Sequence, residues 1–219
     1  YIGASNDGNQ KYSPVVVDEM PLQYVASSIL YLPMVEIRPE LEKQLRDMKF
    51  NRKYVCISEF ASHEKKHWKC ENGWQDVVDY LNSKDYEVII LSKEEDGYMG
   101  NYYPTGATKL PEGSMEALIE VMSSCDFFIG IGSGLSWLSW SLNVPTVLIS
   151  GFSYDWAEME DCYRIAAPKG KCEGCFNRIK LDSGDWNWCP DHKGTERQFE
   201  CSKSIQYTEV IKMLKKVLD

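Results

Sequence analysis

Four cysteines near the end of the chain carry the clearest chemical signal. Cys172 and Cys175 form a C-x2-C pair, Cys189 follows after thirteen intervening residues, and Cys201 after eleven more. A close leading pair can present two thiolates from one tight knuckle, with Gly174 easing the turn, and the two later thiolates can close the other side. This spacing predicts one ion in a closed tetrahedral S4 site. Four ligands leave no open position, so such a site is structural rather than catalytic. The chemistry admits zinc or iron, and spacing of this kind is more often zinc. The alternatives are four reduced thiols, or His192 as a substitute ligand. A second signal is the turn Gly130-Ile-Gly-Ser-Gly-Leu-Ser-Trp137, which follows an apolar run and opens a helical one. Glycines let backbone approach a ligand closely, and the free N–H groups of a helix's first turn favour a phosphate. The spacing is not GxGxxG, so the dinucleotide fingerprint is absent; the alternative is a tight turn without a ligand, but a turn at a strand's C-terminal edge is where open α/β sheets bind ligands. A third is the loop Ser58-Glu-Phe-Ala-Ser-His-Glu-Lys-Lys-His-Trp68. There Ser58, Ser62 and a lysine could meet a diphosphate from the opposite side of one crevice, against the alternative of a solvated charged loop. The same loop spells His63-Glu64-Lys65-Lys66-His67, a literal H-E-x-x-H. Its flanks are too charged for a buried catalytic helix, and Cys70 stands where the metzincin glycine would be, so a zinc protease is rejected.

These loops need a scaffold, and the chain supplies an alternating one. Tyr54–Ser58, Tyr86–Leu91, Asp126–Ile131 and Pro145–Ser150 read as buried strands, with Tyr163–Ala166 a fifth. Helices are expected over Gly73–Leu81, Ser114–Met122 with Ser114 as N-cap, Ser133–Leu142 and Tyr207–Leu218. Leu22–Leu32 is apolar at helical spacing, Pro39–Met48 is charged and amphipathic, and Tyr1 to about Pro14 is polar and aperiodic. Ser92–Gly113 reads as one long loop. Strands alternating with helices imply an α/β fold, a Rossmann-like parallel sheet with helices on both faces, with the cysteine segment as an insertion. Cys56 and Cys125 fall in or beside apolar runs and read as small buried hydrophobes.

Composition narrows the function classes. The 219 residues are 43% hydrophobic and 26% charged, which excludes a disordered chain. A net charge of −9 argues against nucleic acid or an anionic membrane as partner. No apolar run approaches the roughly 18 residues of a membrane span. The chain starts at Tyr1 without a signal peptide, so the N-terminus reads as cut and the chain as a fragment.

The pieces together resemble one family. Ser133-Gly-Leu-Ser-Trp-Leu-Ser-Trp-Ser-Leu-Asn-Val-Pro-Thr-Val-Leu-Ile-Ser-Gly151 is similar to the nucleotide-sugar half of GT-B heptosyltransferases of the family 9 type, and in particular to the bacterial autotransporter heptosyltransferases. Those combine a Ser-Gly-Leu-Ser-Trp turn, an Ile-Ser-Gly-Phe exit and a four-cysteine insertion called an iron finger. Here the finger reads Cys172-Glu-Gly-Cys175, Trp188-Cys189-Pro190 and Arg197-Gln-Phe-Glu-Cys201. The resemblance covers about residues 54 to 205. Pro21-Leu-Gln23 through Arg38-Pro39 looks like the family's interdomain region.

The resemblance implies transfer of heptose from ADP-heptose to serine hydroxyls of an autotransporter adhesin, with inversion and without a catalytic metal, in the bacterial cytoplasm. It implies a large homo-oligomer and one structural iron, with zinc as the alternative, on Cys172, Cys175, Cys189 and Cys201. Lys66 matches the family's diphosphate lysine, and Ser133, Gly134, Leu135 and Trp137 match the turn that holds nucleotide and sugar. Gly132 and Trp137 stand where the lipopolysaccharide branch has Asp and His. Glu94, just past the second strand, is a candidate for the ribose hydroxyls. A GT-B enzyme has two halves, and 219 residues cannot hold both plus the finger. The chain is therefore expected to be the C-terminal donor half, inactive alone, with no catalytic base of its own. The expected division is 1–50 as an interdomain segment, 51–167 with 205–219 as the Rossmann-like domain, and 168–204 as the finger. The competing reading is a metal-knuckle module for binding or oligomerisation without catalysis; binding of ADP-sugars separates the two.

Overall fold

The computed structural model describes residues 20–39, 41, 53–179, 181–182 and 184–218. The expectation for Tyr1 to Pro14 lies outside them, as does that for 39–48 apart from Pro39 and Leu41. The first element, α1 (Leu22–Ile29), is shorter than expected. Pro33 follows Leu32, and a residue before proline is pushed out of helical geometry. The chain already leaves the helix at Tyr31, whose φ is 54°.

From Tyr54 onward strands and helices alternate. The strands are β1 (Tyr54–Ser58), β2 (Glu87–Ile90), β3 (Thr108–Lys109), β4 (Phe128–Ile131), β5 (Thr146–Ile149) and β6 (Tyr163–Ile165). They form one sheet in the order β3-β2-β1-β4-β5-β6, every pairing parallel. Between them run α2 (Gly73–Asn82), α3 (Met115–Ser124) and α4 (Gly134–Ser141). Two short helices, α5 (Cys175–Arg178) and α6 (Glu200–Lys203), belong to the cysteine segment, and α7 (Tyr207–Leu218) ends the described chain.

Both sheet faces are covered, which is why the strands read as continuous apolar runs. Val55, Ile57, Val88, Ile90, Ile129 and Ile131 point to one face and pack with Val77, Val78 and Leu81 of α2 and Val210 and Leu214 of α7. Tyr54, Cys56, Ile89 and Phe128 point to the other, against Val121 and Met122 of α3 and Leu135 and Leu138 of α4. The α3 N-terminus is capped as expected, the Ser114 hydroxyl accepting the Ala117 N–H at 3.3 Å. Cys56 and Cys125 are buried in the second cluster. The long loop after β2 does contain a strand, β3. Its two residues, Thr and Lys, show no apolar pattern. They pair because Ile89 and Ile90 leave a sheet edge open to them. Among the described residues no helix is long and apolar enough to cross a membrane.

Candidate functional site

The strand order reverses between β1 and β4, and in open α/β sheets the crevice beyond the strands' carboxyl ends at such a reversal is where ligands bind. Ser58 and Gly130 are register partners there, so the basic loop and the glycine turn leave the sheet side by side. Ser133 is the N-cap residue of α4, but its side chain makes no capping bond, and its Oγ is buried without a hydrogen-bond partner. A side chain built at Gly134 would meet nothing within 4 Å. The first N–H groups of α4 therefore open onto free space, an arrangement that favours an anion.

Lys66 stands across from that turn. Its ammonium lies 5.7 Å from the Phe152 ring centroid. Burial lowers its pKa, and the charge of Glu158 opposes the fall. Phe152 also lies against Gly132, where an added Cβ would come within 2.8 Å of the ring and 3.3 Å of Glu158 Oε1. Gly132 is thus required by close approach, and Lys66, Gly132, Phe152 and Glu158 form one cluster. Glu158 is 4% exposed and accepts a hydrogen bond from Ser153 Oγ. Burial raises its pKa, while Ser153, Arg164, Lys66 and Ser150 pull it back. Arg164 Nη2 donates to the Ser150 and Ser153 carbonyls and braces this exit loop. Neither Glu158 nor Arg164 stood out in the sequence, where Glu158 is one of several acids in a loop and Arg164 the one charge of the expected fifth strand; the Ile-Ser-Gly-Phe exit before them was the nearest signal.

The other expected site residues are placed less centrally. Ser58 is buried at the end of β1, whereas Ser62 is exposed, with Oγ 3.2 Å from His63 Nδ1. Glu94 lies beyond β2, its Oε2 accepting from Ser92 Oγ at 2.7 Å and its carbonyl from Lys109 Nζ at 3.0 Å. Its charge acts on Glu59 and His67, while Lys66 answers to Glu158. Leu135 packs into the core face of α4, and Trp137 stacks edge-on against Trp140 at 5.6 Å. Both side chains are partly buried, and the Trp137 N–H is taken by the Ser133 carbonyl at 3.4 Å. The H-E-x-x-H string is not a helix face. Glu64–Lys66 is a single 3-10 turn, and His67 spends its Nε2–H on the Ala61 carbonyl at 2.8 Å and its Nδ1 on the Asn101 amide at 3.0 Å.

The four late cysteines line one small cavity of about 10 Å³, together with Lys65, Trp188 and Phe199. Among the described residues, however, no three His, Cys, Asp or Glu side chains are drawn into a group able to hold a metal ion. The expected S4 cage is therefore not shown, and two of the thiols have other neighbours. Cys172 donates to Asp191 at 3.8 Å and Cys175 to the Phe152 carbonyl at 3.8 Å. Burial, reinforced by Cys172 and Cys189, pushes the Cys175 thiol up to about 12. Burial and the three other cysteines push Cys201 up as well. Bringing four thiolates onto one point requires a cation. The surroundings suit one: the Phe199 N–H points at Cys189 Sγ at 3.4 Å, and Lys65 Nζ is buried beside the thiols without a hydrogen-bond partner. The donor set and its cavity thus fit a small ion.

Comparison with known proteins places this geometry. The family model for glycosyltransferase family 9 (heptosyltransferase) matches residues 10–154. The chain is 34% identical over 215 residues to the autotransporter heptosyltransferase Aah of Escherichia coli, covering 95% of this chain and 54% of Aah. It is 24% identical to the inactive autotransporter heptosyltransferase BimC of Burkholderia thailandensis, covering 97% of this chain and 51% of BimC. Among solved structures it matches the dodecameric iron-containing heptosyltransferase TibC of enterotoxigenic E. coli, in complex with ADP-D-beta-D-heptose, with a TM-score of 0.91 and 30% identity over 99% of this chain and 58% of that one. The chain spans about half the length of the curated relatives it matches. The matched span includes β1, β4 and both crevice loops, and the chain belongs to glycosyltransferase family 9, the heptosyltransferases.

Proposed function

We propose that this chain is the donor-binding half of a glycosyltransferase that moves heptose from ADP-heptose to serine hydroxyls of an autotransporter adhesin, with inversion at the anomeric carbon. What supports this reading is the crevice between β1 and β4: the N-terminus of α4 is uncapped there, and Lys66 reaches the Phe152 ring that lies against Gly132 of the same turn. Ser133, Gly134 and the Leu135 backbone hold one side of the diphosphate and Lys66 the other. This neutralises the charge that builds on the departing ADP. Ser58, Ser62, Gly132 and Trp137 complete the donor pocket, with Glu94 on the ribose side. No catalytic base is assigned among these residues; it belongs to an N-terminal half outside this chain, so this chain alone transfers nothing. Residues 1–50 then form the interdomain segment, 51–167 with 205–219 the Rossmann-like domain, and 168–204 the finger.

In this proposal Cys172, Cys175, Cys189 and Cys201 hold one structural iron, with zinc as the alternative. When bound, the ion supplies a closed cross-link of the finger. The whole protein assembles as a homo-oligomer, as TibC does. Its compartment is the bacterial cytoplasm, and eight free cysteines agree with a reducing environment. A thermal-shift series with ADP, GDP, UDP and ADP-heptose tests the donor reading. ADP and ADP-heptose should raise the melting temperature, and a chain indifferent to all four would not be a donor-binding half.

A further inference from the structure

We propose that the cysteine segment is a wall of the nucleotide site, and that Lys65 is the positioning residue joining the two. This rests on the reading of Lys66 as the diphosphate lysine. The two lysines are neighbours in one 3-10 turn, and their ammonium groups meet different rings. Lys66 reaches the Phe152 and Glu158 cluster at the crevice. Lys65 is 3% exposed and enters the cavity lined by Cys172, Cys175, Cys189 and Cys201, on the far side of the Phe152–Phe176 pair. Its ammonium lies 4.1 Å from the Trp188 ring centroid and 5.8 Å from that of Phe176, with no hydrogen-bond partner.

The backbone ties the same elements together. The Glu64 N–H donates to the Trp186 carbonyl at 3.0 Å, fastening the lysine turn to the cysteine segment. The exit loop of β5 is fastened likewise: the Gly174 N–H donates to the Gly151 carbonyl at 3.2 Å and the Phe176 N–H to the Phe152 carbonyl at 2.9 Å. The Tyr154 N–H donates to Asn177 Oδ1 at 2.8 Å, and the Phe152 and Phe176 rings meet edge to face at 5.7 Å. Both loops that place Lys66 are thus held by the segment that carries the thiols.

A buried ammonium among aromatic rings and neutral thiols, without a hydrogen bond, is incompletely compensated. Four thiolates around a divalent ion carry a net charge of −2 and would complete the compensation. With an ion on the four thiolates, Lys65 would be held in place, and with it the turn that presents Lys66 to the diphosphate.

The test measures metal content and calorimetric ADP affinity in parallel. Lys65→Met should weaken ADP binding about tenfold with Lys66 intact, and should lose metal to a chelator sooner than the parent. Lys65→Arg, which keeps the charge, should recover most of both. Chelator-stripped parent that keeps its helical circular dichroism should bind ADP about tenfold more weakly and recover on addition of Fe2+ or Zn2+. ADP binding unchanged both by Lys65→Met and by stripping would overturn the coupling. If Lys66→Ala binds ADP like the parent, the donor-site reading itself is at fault and the proposal falls with it.

Discussion

Glu59 follows β1 directly at the mouth of the crevice and is 2% exposed, with neither carboxylate oxygen hydrogen-bonded by its side chain's neighbours. Burial raises its carboxyl from an ordinary 4.5 to about 8; a backbone bond opposes this, and Glu94 and Asp96 add to it. The sign of the consequence is fixed by linkage. Between pH 4.5 and 8 the folded chain keeps a proton that the unfolded chain has released, so stability falls as pH rises through that window. At about 1.4 kcal/mol per pH unit, this one group costs about 3 kcal/mol at pH 7 and about 5 kcal/mol above pH 8. Glu59→Gln keeps the shape of the protonated form and cannot ionise. It should match the parent to within about 1 kcal/mol at pH 5 and exceed it by about 3 kcal/mol at pH 7. Urea unfolding followed by circular dichroism at pH 5, 6, 7 and 8 measures both. Parallel stability curves for the two proteins would refute the argument. A gap of the expected size would mark Glu59 as a carboxyl kept at the crevice at the expense of stability, as functional sites often are.

Three further outcomes follow from the packing. Gly151→Ala places a Cβ 2.5 Å from the Cys201 carbonyl oxygen, and because backbone cannot swing aside as a side chain does, thermal unfolding should show a loss of about 1–3 kcal/mol. Trp68→Phe removes the indole N–H that donates to the Ile205 carbonyl at 2.8 Å, leaving that buried acceptor unpaired at a cost of about 1–3 kcal/mol in chemical denaturation. Incubated with ADP-heptose and an adhesin acceptor, the chain alone should give no glycosylated product by mass spectrometry; transfer at an enzyme's ordinary rate would place a base among these residues.

What the sequence made legible is what local pattern encodes. β1, β2, β4 and β5 are apolar on both faces because helices cover both, and α2 and α7 show the stripe that packs on them. The adjacency of the two crevice loops follows from the parallel order once alternation is recognised. Charged residues buried by distant partners were not legible. Lys65 reads as part of a solvated basic run until Trp188, far along the chain, closes over it. Glu158 looks like a surface acid until Gly132 leaves room for its carboxylate. The sequence marks the cysteine segment as an insertion, but not the hydrogen bonds that tie it to Gly151, Phe152 and Glu64, because those partners are far apart along the chain.

The central claim is that Lys66 and the α4 N-terminus grip a nucleoside diphosphate. Isothermal titration of ADP into the parent chain and into Lys66→Ala tests it most directly. Loss of one charge-assisted contact, worth about 1.5–3 kcal/mol, should weaken binding about ten- to a hundredfold in the variant. Equal affinity in the two proteins, or no ADP binding by the parent, would contradict it.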